Sequence, residues 1–230
     1  GCGIYRSVWL HMASAVSAAP HGIRAVTAAL DGSSAVVEVS TALTGTADSV
    51  TYELADAEGQ VLATAEGLGT VQLAANGITP WTPETPALYT LRVTVTANGT
   101  ADTAEQRIGI RTIQVSSKTG LLLNGQPRTM KGGCIHHDLG ILGAADHAAA
   151  ERRRIRLMKE SGFDAIRAAH NPFGPAFLDA CDELGMLVVE EAFDEWVMGR
   201  TSFGLHVTFE QCWEKDLEDM ITRDYNHPCI

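Results

Sequence analysis

The hydrophobic period changes once along this chain, and the change limits what it can fold into. Ile23–Leu30, Ala35–Ser40, Val50–Ala55, Val61–Ala65, Thr70–Ala74, Leu88–Ala97 and Thr103–Arg111 each show two-residue alternation or a β-branched run. Gly, Asp, Asn and Pro separate them. Within the clearest, Tyr89, Leu91, Val93 and Val95 share one face, and Leu88, Thr90, Arg92, Thr94 and Thr96 the other. That is the pattern of a half-buried antiparallel strand. Seven such strands predict an immunoglobulin-like β-sandwich over residues 20–112.

Beyond Gly120 strands alternate with helices. Leu121–Leu123 leads into an Asn124-Gly125 hairpin turn, and Thr129–Ile135 reads as a strand. Ala148–Ser161 reads as a helix, with Ile155, Met158 and Lys159 at helical spacing and Gly162 beyond its end. Asp164–Arg167 is a strand, Pro175–Leu184 a helix closed by Gly185, and Met186–Glu190 an apolar strand. Phe209–Tyr225 is a helix with Trp213, Leu217, Met220 and Ile221 on one face. Such alternation builds βα units on a parallel sheet. About three units stand where a closed barrel has eight, so residues 113–230 are expected to be an incomplete (β/α)8 TIM barrel. Cys229-Ile230 reads as the start of a fourth strand, and the chain is expected to be an inner segment of a longer protein.

Charge and composition exclude several classes. There are 17 Lys+Arg against 28 Asp+Glu, a formal charge of −11. Both halves are acidic, which argues against binding to nucleic acid or to an anionic membrane surface. No apolar run approaches the ~18 residues of a bilayer-spanning helix. No signal peptide is visible, and a cytoplasmic address is expected, with export left open. Cys2, Cys134, Cys181, Cys212 and Cys229 are odd in number and without a CxxC pair, so they read as ordinary thiols. There is no GxSxG turn and no phosphate-binding glycine loop.

In a parallel βα architecture chemistry sits at the carboxyl ends of the strands. The first strand ends at His136-His137-Asp138, the second at Arg167-Ala-Ala-His170-Asn171-Pro, and the third at Glu190-Glu191-Ala-Phe-Asp194-Glu195-Trp196. All three ends carry titratable or aromatic residues where strand becomes loop. Each has a plainer reading: loop histidines for His136 and His137, a turn for His170, an ion-pair partner for Arg167, a core position for Trp196. Glu190, Glu191, Asp194 and Glu195 with His137 or His170 could also ligate a divalent ion, though no spacing such as HExxH fixes it.

The motifs themselves resemble glycoside hydrolase family 2. Gly3-Ile-Tyr-Arg-Ser-Val-Trp-Leu is similar to the closing strand of the family's sugar-binding jelly roll, which makes residues 1–19 a remnant of that domain. Trp81-Thr-Pro-Glu-Thr-Pro-Ala-Leu-Tyr-Thr-Leu resembles the signature of its immunoglobulin-like domain. Gly109-Ile-Arg-Thr-Ile with Leu123-Asn-Gly-Gln-Pro resembles the junction into its barrel. His136-His-Asp-Leu-Gly, Met158-Lys-Glu-Ser-Gly-Phe-Asp-Ala-Ile-Arg-Ala-Ala-His-Asn-Pro, Asp179-Ala-Cys-Asp-Glu-Leu-Gly-Met, Glu191-Ala-Phe-Asp-Glu-Trp and Arg223-Asp-Tyr-Asn-His-Pro complete the match. Within the family the chain is most similar to bacterial β-galactosidases, with β-glucuronidases and β-mannosidases on the same scaffold.

The resemblance implies retaining hydrolysis by two glutamates. In the family both lie after the Asn-His-Pro motif, so both are expected beyond Ile230 and none of the residues here is expected to be a catalytic glutamate. What it implies for this chain is a substrate-binding shell of His136, His137, Arg167, His170, Asn171, Glu191 and Trp196. There are departures. Ala168-Ala169 replaces the commoner Thr-Ser. The Glu-x-His that binds magnesium in some relatives is here Glu195-Trp-Val, so no cofactor is expected. The expected partners are a β-galactoside or oligosaccharide substrate and further copies of the chain as a homo-oligomer. Two other readings are a non-catalytic carbohydrate-binding or interaction module and a fragment active only when complemented by the rest of the barrel.

Overall fold

The structure, a computed structural model, describes Ile4 and residues 6–230. Cys2, and Gly3 and Tyr5 of the first motif, lie outside the described residues. The described residues from Ile4 to Ser14 form no helix or strand, and Val8, Trp9, Leu10 and Met12 are exposed.

Two compact units follow. One comprises residues 9–129 and 226–228, the other residues 1–8, 130–225 and 229–230. The first is built on seven strands: β1 (Ala18–Asp31), β2 (Ser34–Leu43), β3 (Ser49–Ala55), β4 (Val61–Glu66), β5 (Val71–Asn76), β6 (Tyr89–Ala97) and β7 (Thr100–Ile108). They form two antiparallel sheets, ordered β1-β2-β5 and β4-β3-β6-β7. Alternation fills the space between them. Val37 and Val39 of β2, Tyr52 and Leu54 of β3, Leu73 of β5, and Leu91 and Val93 of β6 are all fully buried. At Gly22 a bulge brings β1 against β2 so closely that a Cβ would lie 2.9 Å from the carbonyl oxygens of Ala19 and Ala42.

The last strand runs three residues earlier than the sequence pattern predicts. Asn98 and Gly99 both have positive φ, 51° and 74°, as a two-residue hairpin turn requires. The turn zips β7 onto β6 at once, pairing Ala97 with Thr100. A small antiparallel sheet follows, β8 (Ile113–Ser116), β9 (Gly120–Leu123) and β10 (Gln126–Pro127). Asn124-Gly125 forms its second turn, again with both φ positive.

The second unit contains the parallel sheet: β11 (Gly132–Ile135), β12 (Ala165–Ala168) and β13 (Leu187–Glu190), in sequence order. Helix α1 (Ala148–Glu160) connects β11 to β12, α2 (Pro175–Leu184) connects β12 to β13, and α3 (Phe209–Asp224) follows β13. Helices α1 and α2 pack together over Ile155, Phe177, Leu178 and Cys181. Beyond β13, Val188 donates its N–H to the Cys229 carbonyl at 2.8 Å, so the chain returns to the sheet edge. Helix α3 departs from its expected packing. Its only buried residue is Asp224, and Trp213 and Ile221 are 41% and 49% exposed. No helix among the described residues is long and apolar enough to cross a membrane.

Candidate functional site

The parallel register sets the site. Ile135, Ala168 and Glu190 lie side by side, so the residues that follow them begin level on one rim. His136 follows β11, His170 follows β12, and Glu191 follows β13.

Glu191 organises this rim. Its Oε1 accepts from Arg167, whose Nε and Nη2 both lie 2.5 Å away. Its Oε2 lies 3.0 Å from Nδ1 of His170. Partial burial pushes the Glu191 carboxyl up, but hydrogen bonds from Arg167 and His170 and the Arg167 charge together hold it below the usual carboxylate range. An ionised carboxylate can only accept, so His170 donates through Nδ1; in the neutral imidazole that leaves Nε2 as an acceptor. The His136 ring lies 5.2 Å from that of His170, and Arg167 Nη1 reaches Cys134 Sγ at 3.5 Å. Four predicted residues thus converge: His136, Arg167, His170 and Glu191. With both oxygens engaged and its charge held, Glu191 is suited to fix position and charge rather than to deliver a proton.

His137 and Asn171 form a separate contact. Nε2 of His137 lies 3.2 Å from the Asn171 carbonyl oxygen, and its ring stacks on Phe173 at 4.0 Å. Burial depresses the His137 pKa; the Asn171 carbonyl opposes this, and the charges of Arg6 and Arg154 add to it. Glu190 turns away from Glu191. Its side chain is almost wholly buried, accepts from the Phe173 N–H at 3.3 Å and faces Arg223 at 3.8 Å.

Trp196 is 65% exposed at the start of a loop pinned by Glu195. Glu195 Oε2 accepts from the Arg200 N–H at 2.7 Å, and Oε1 takes the N–H and Nδ1 of His206 at 3.2 and 3.0 Å. The Arg200 N–H first, then the His206 ring, hold its carboxyl down to about 2. A Cβ on Gly204 would collide with Glu195 Oε1, so a larger residue there would push the carboxylate away from its partners. With Glu195 committed to its own loop and an aliphatic side chain at Val197, this position does not fit the cation that a Glu-x-His would hold. Glu190, Glu191 and Glu195 each have separate partners and do not converge as a ligand set. Arg167, His170, Glu191, Phe193, Trp196 and Trp213 line one open cavity of about 830 Å³.

One supporting residue, Arg154, is not apparent in the sequence pattern. Arg154 Nη1 donates to the carbonyls of His136 and Asp138, both at 3.1 Å, and its Nη2 to Glu151 at 2.5 Å. Its guanidinium also sits 5.6 Å from the centre of the Phe173 ring. It therefore fixes the backbone at the end of β11. Within Arg152-Arg153-Arg154 it looks like any solvated charge; the i, i+3 spacing to Glu151 is the available signal.

Comparison with known proteins places this geometry. A model described as glycosyl hydrolases family 2 matches residues 16–111, and one described as glycosyl hydrolases family 2, TIM barrel domain, matches residues 113–230. Beta-galactosidase BoGH2A of Bacteroides ovatus is 37% identical over all of this chain and 29% of its own length. A beta-galactosidase of Thermoanaerobacter pseudethanolicus is 29% identical over 99% of this chain and 31% of its own. A family 2 structure from Bacteroides cellulosilyticus DSM 14838 superposes with a TM-score of 0.90 at 34% identity, over 99% of this chain and 33% of that one. A Lactobacillus rhamnosus beta-glucuronidase superposes at 0.80 with 32% identity, over 91% of this chain and 35% of that one. The chain thus spans about 30% of the length of these curated relatives.

Proposed function

The chain belongs to glycosyl hydrolase family 2, as an immunoglobulin-like domain and part of a TIM barrel, and from that membership we propose that it carries the sugar-holding rim of a retaining β-galactosidase. The observation that carries the reading is Glu191 gripped between Arg167 and His170 at the carboxyl ends of adjacent parallel strands. A fixed carboxylate accepts hydrogen bonds from sugar hydroxyls, and the Nε2 lone pair of His170 offers a second acceptor beside it. Arg167 keeps the carboxylate charged, so the acceptor persists at neutral pH. Water leaves the rim as sugar enters, which strengthens each of these bonds.

Retaining hydrolysis needs a carboxylic acid and a carboxylate nucleophile about 5–5.5 Å apart. Glu191 is held as an anion by two donors, and Glu195 is consumed by its loop. In this reading the reacting pair is supplied by the remainder of a longer enzyme, and this chain binds without turning over. The neutral glycone is favoured because the guanidinium of Arg167 is already matched by Glu191 and leaves no spare charge for a uronate. Arg200, which lines the same cavity, supports β-glucuronide binding as the second reading.

The test is calorimetric titration of the 230-residue chain with methyl β-galactoside and methyl β-glucuronide, alongside an aryl β-galactoside assay. The galactoside is expected to bind. Glu191→Gln is expected to weaken it about tenfold or more, as loss of a charged hydrogen bond does. Tighter glucuronide binding would replace the galactoside reading with the second one. Turnover above background would show that the reacting pair lies in this chain.

A further inference from the structure

Asn-Gly pairs occur at Asn76, Asn98 and Asn124, all in the first unit. An asparagine in such a pair can react with its own backbone, because the glycine has no side chain to obstruct attack by its nitrogen on the asparagine Cγ. The attack also needs an asparagine side chain free to turn towards that nitrogen. The three glycines are alike, with φ of 76°, 74° and 74°, so the asparagine side chains decide. Asn124 is locked at both ends. Its Oδ1 accepts the Thr112 N–H at 2.9 Å, and its Nδ2 donates to the Trp81 carbonyl at 3.1 Å. Asn76 is held once: it pairs with Ser34 at the end of β5, and its Oδ1 accepts the Ser34 hydroxyl at 2.8 Å. The Asn98 side chain is exposed and, among the described residues, meets no hydrogen-bond partner. Asn98 and Gly99 both lie in the turn, outside the β6–β7 pairing.

We propose that Asn98 is the chain's site of spontaneous deamidation, and that the reaction breaks the register of the β6–β7 hairpin. A solvent base takes the Gly99 N–H proton as that nitrogen bonds to Asn98 Cγ. The Cγ–Nδ2 bond breaks, the amide leaves as ammonia, and a cyclic imide remains. Water then adds to either imide carbonyl and the ring C–N bond breaks, which leaves aspartate or isoaspartate. Aspartate sets a second carboxylate beside Asp48, whose Oδ2 accepts the Asn98 N–H at 2.8 Å. Isoaspartate routes the main chain through the former side chain and adds a methylene to the turn. A two-residue turn has no slack for it, and the pairing of Ala97 with Thr100 depends on the turn's present length.

The experiment is incubation of the full chain in mildly alkaline buffer, followed by tryptic digestion and mass spectrometry. Cleavage at Arg92, Arg107, Lys118 and Arg128 puts the three asparagines on separate peptides. Asn98 is expected to convert about tenfold or more faster than Asn124, whose two hydrogen bonds must break first, with Asn76 between them. In urea the three rates are expected to come together. Conversion of Asn98 no faster than Asn124 overturns the site. A ratio that survives in urea overturns the role of the fold in choosing it. Converted chains carry added negative charge and separate on anion exchange. They are expected to lose hydrogen-exchange protection on β7 while β2 keeps its own. Unchanged protection on β7 overturns the loss of register.

Discussion

The sandwich and the parallel sheet are made from similar strands and bury them to different ends. In the sandwich, alternation delivers every second side chain of β2, β3, β5 and β6 into one continuous core. In the parallel sheet, Val188 is buried while its neighbour Val189 is 45% exposed, and the apolar row of α3 is open. The sandwich is organised by volume, the second unit by a few directed contacts: Arg167–Glu191–His170, Arg154–Glu151, and Glu195–His206. These polar groups are engaged by specific partners, because an unmatched buried group would cost more than an apolar one.

The sharpest way to break this contrast is through volume. Leu91→Ala removes a fully buried side chain from the centre of β6 and is expected to cost about 4 kcal/mol, as lost transfer energy plus an unfilled cavity. Val189→Ala, on an exposed position of β13, is expected to cost less than about 1 kcal/mol. Urea denaturation of both variants measures the difference. Equal losses would show that the parallel sheet buries its outer face as tightly as the sandwich core.

Directed contacts come next. Arg154→Ala leaves the Glu151 carboxylate buried and frees the carbonyls of His136 and Asp138. Breaking a buried pair by removing one member costs about 3 kcal/mol. Burial already pushes the Glu151 carboxyl up, and Arg154 opposes it. Without Arg154 it rises further, so the loss should shrink as pH falls and Glu151 takes a proton. A loss that is the same at pH 5 and pH 8 would mean that Arg154 acts through its packing on Phe173 rather than through charge.

The elements of both units are legible for local reasons. Gly162, Pro175 and Gly185 punctuate α1 and α2 because their backbone preferences act within a turn, and the helices start and stop where those residues direct. The shift of β7 is set by Asn98-Gly99, a signal present in the sequence that outweighs the alternation downstream of it. The convergence of His136, Arg167, His170 and Glu191 is partly legible, since parallel strands bring their carboxyl ends to one rim. Which group each one grips is not. Glu190 and Glu191 are adjacent and chemically identical, yet one reaches Phe173 and Arg223 and the other Arg167 and His170. His137 likewise sits beside His136 and packs on Phe173 instead. These choices depend on partners 17 to 36 residues away and on which side of the strand each residue leaves.

The smallest predicted effect separates local order from global stability. Glu195 titrates at about 2 in the folded chain, against about 4.3 for an unperturbed glutamate. A depressed carboxyl pKa means that the folded loop binds the proton less readily than the open one. Its stabilising contribution is therefore complete above about pH 4.3 and fades as the pH falls towards 2. The bonds at stake run to Arg200 and His206 within one loop, so opening it should leave the strands of the sandwich untouched. Hydrogen exchange at the Arg200 and His206 amides is expected to lose protection between pH 4 and pH 2, after correction for intrinsic rates, while the Val93 amide on β6 keeps its own. Glu195→Gln should mimic the acid state at neutral pH, because the amide still accepts a hydrogen bond but no longer carries the charge that strengthens it. If Arg200 and His206 stay protected in that variant, the loop is held by its glycines and its packing, and Glu195 is a passenger in it.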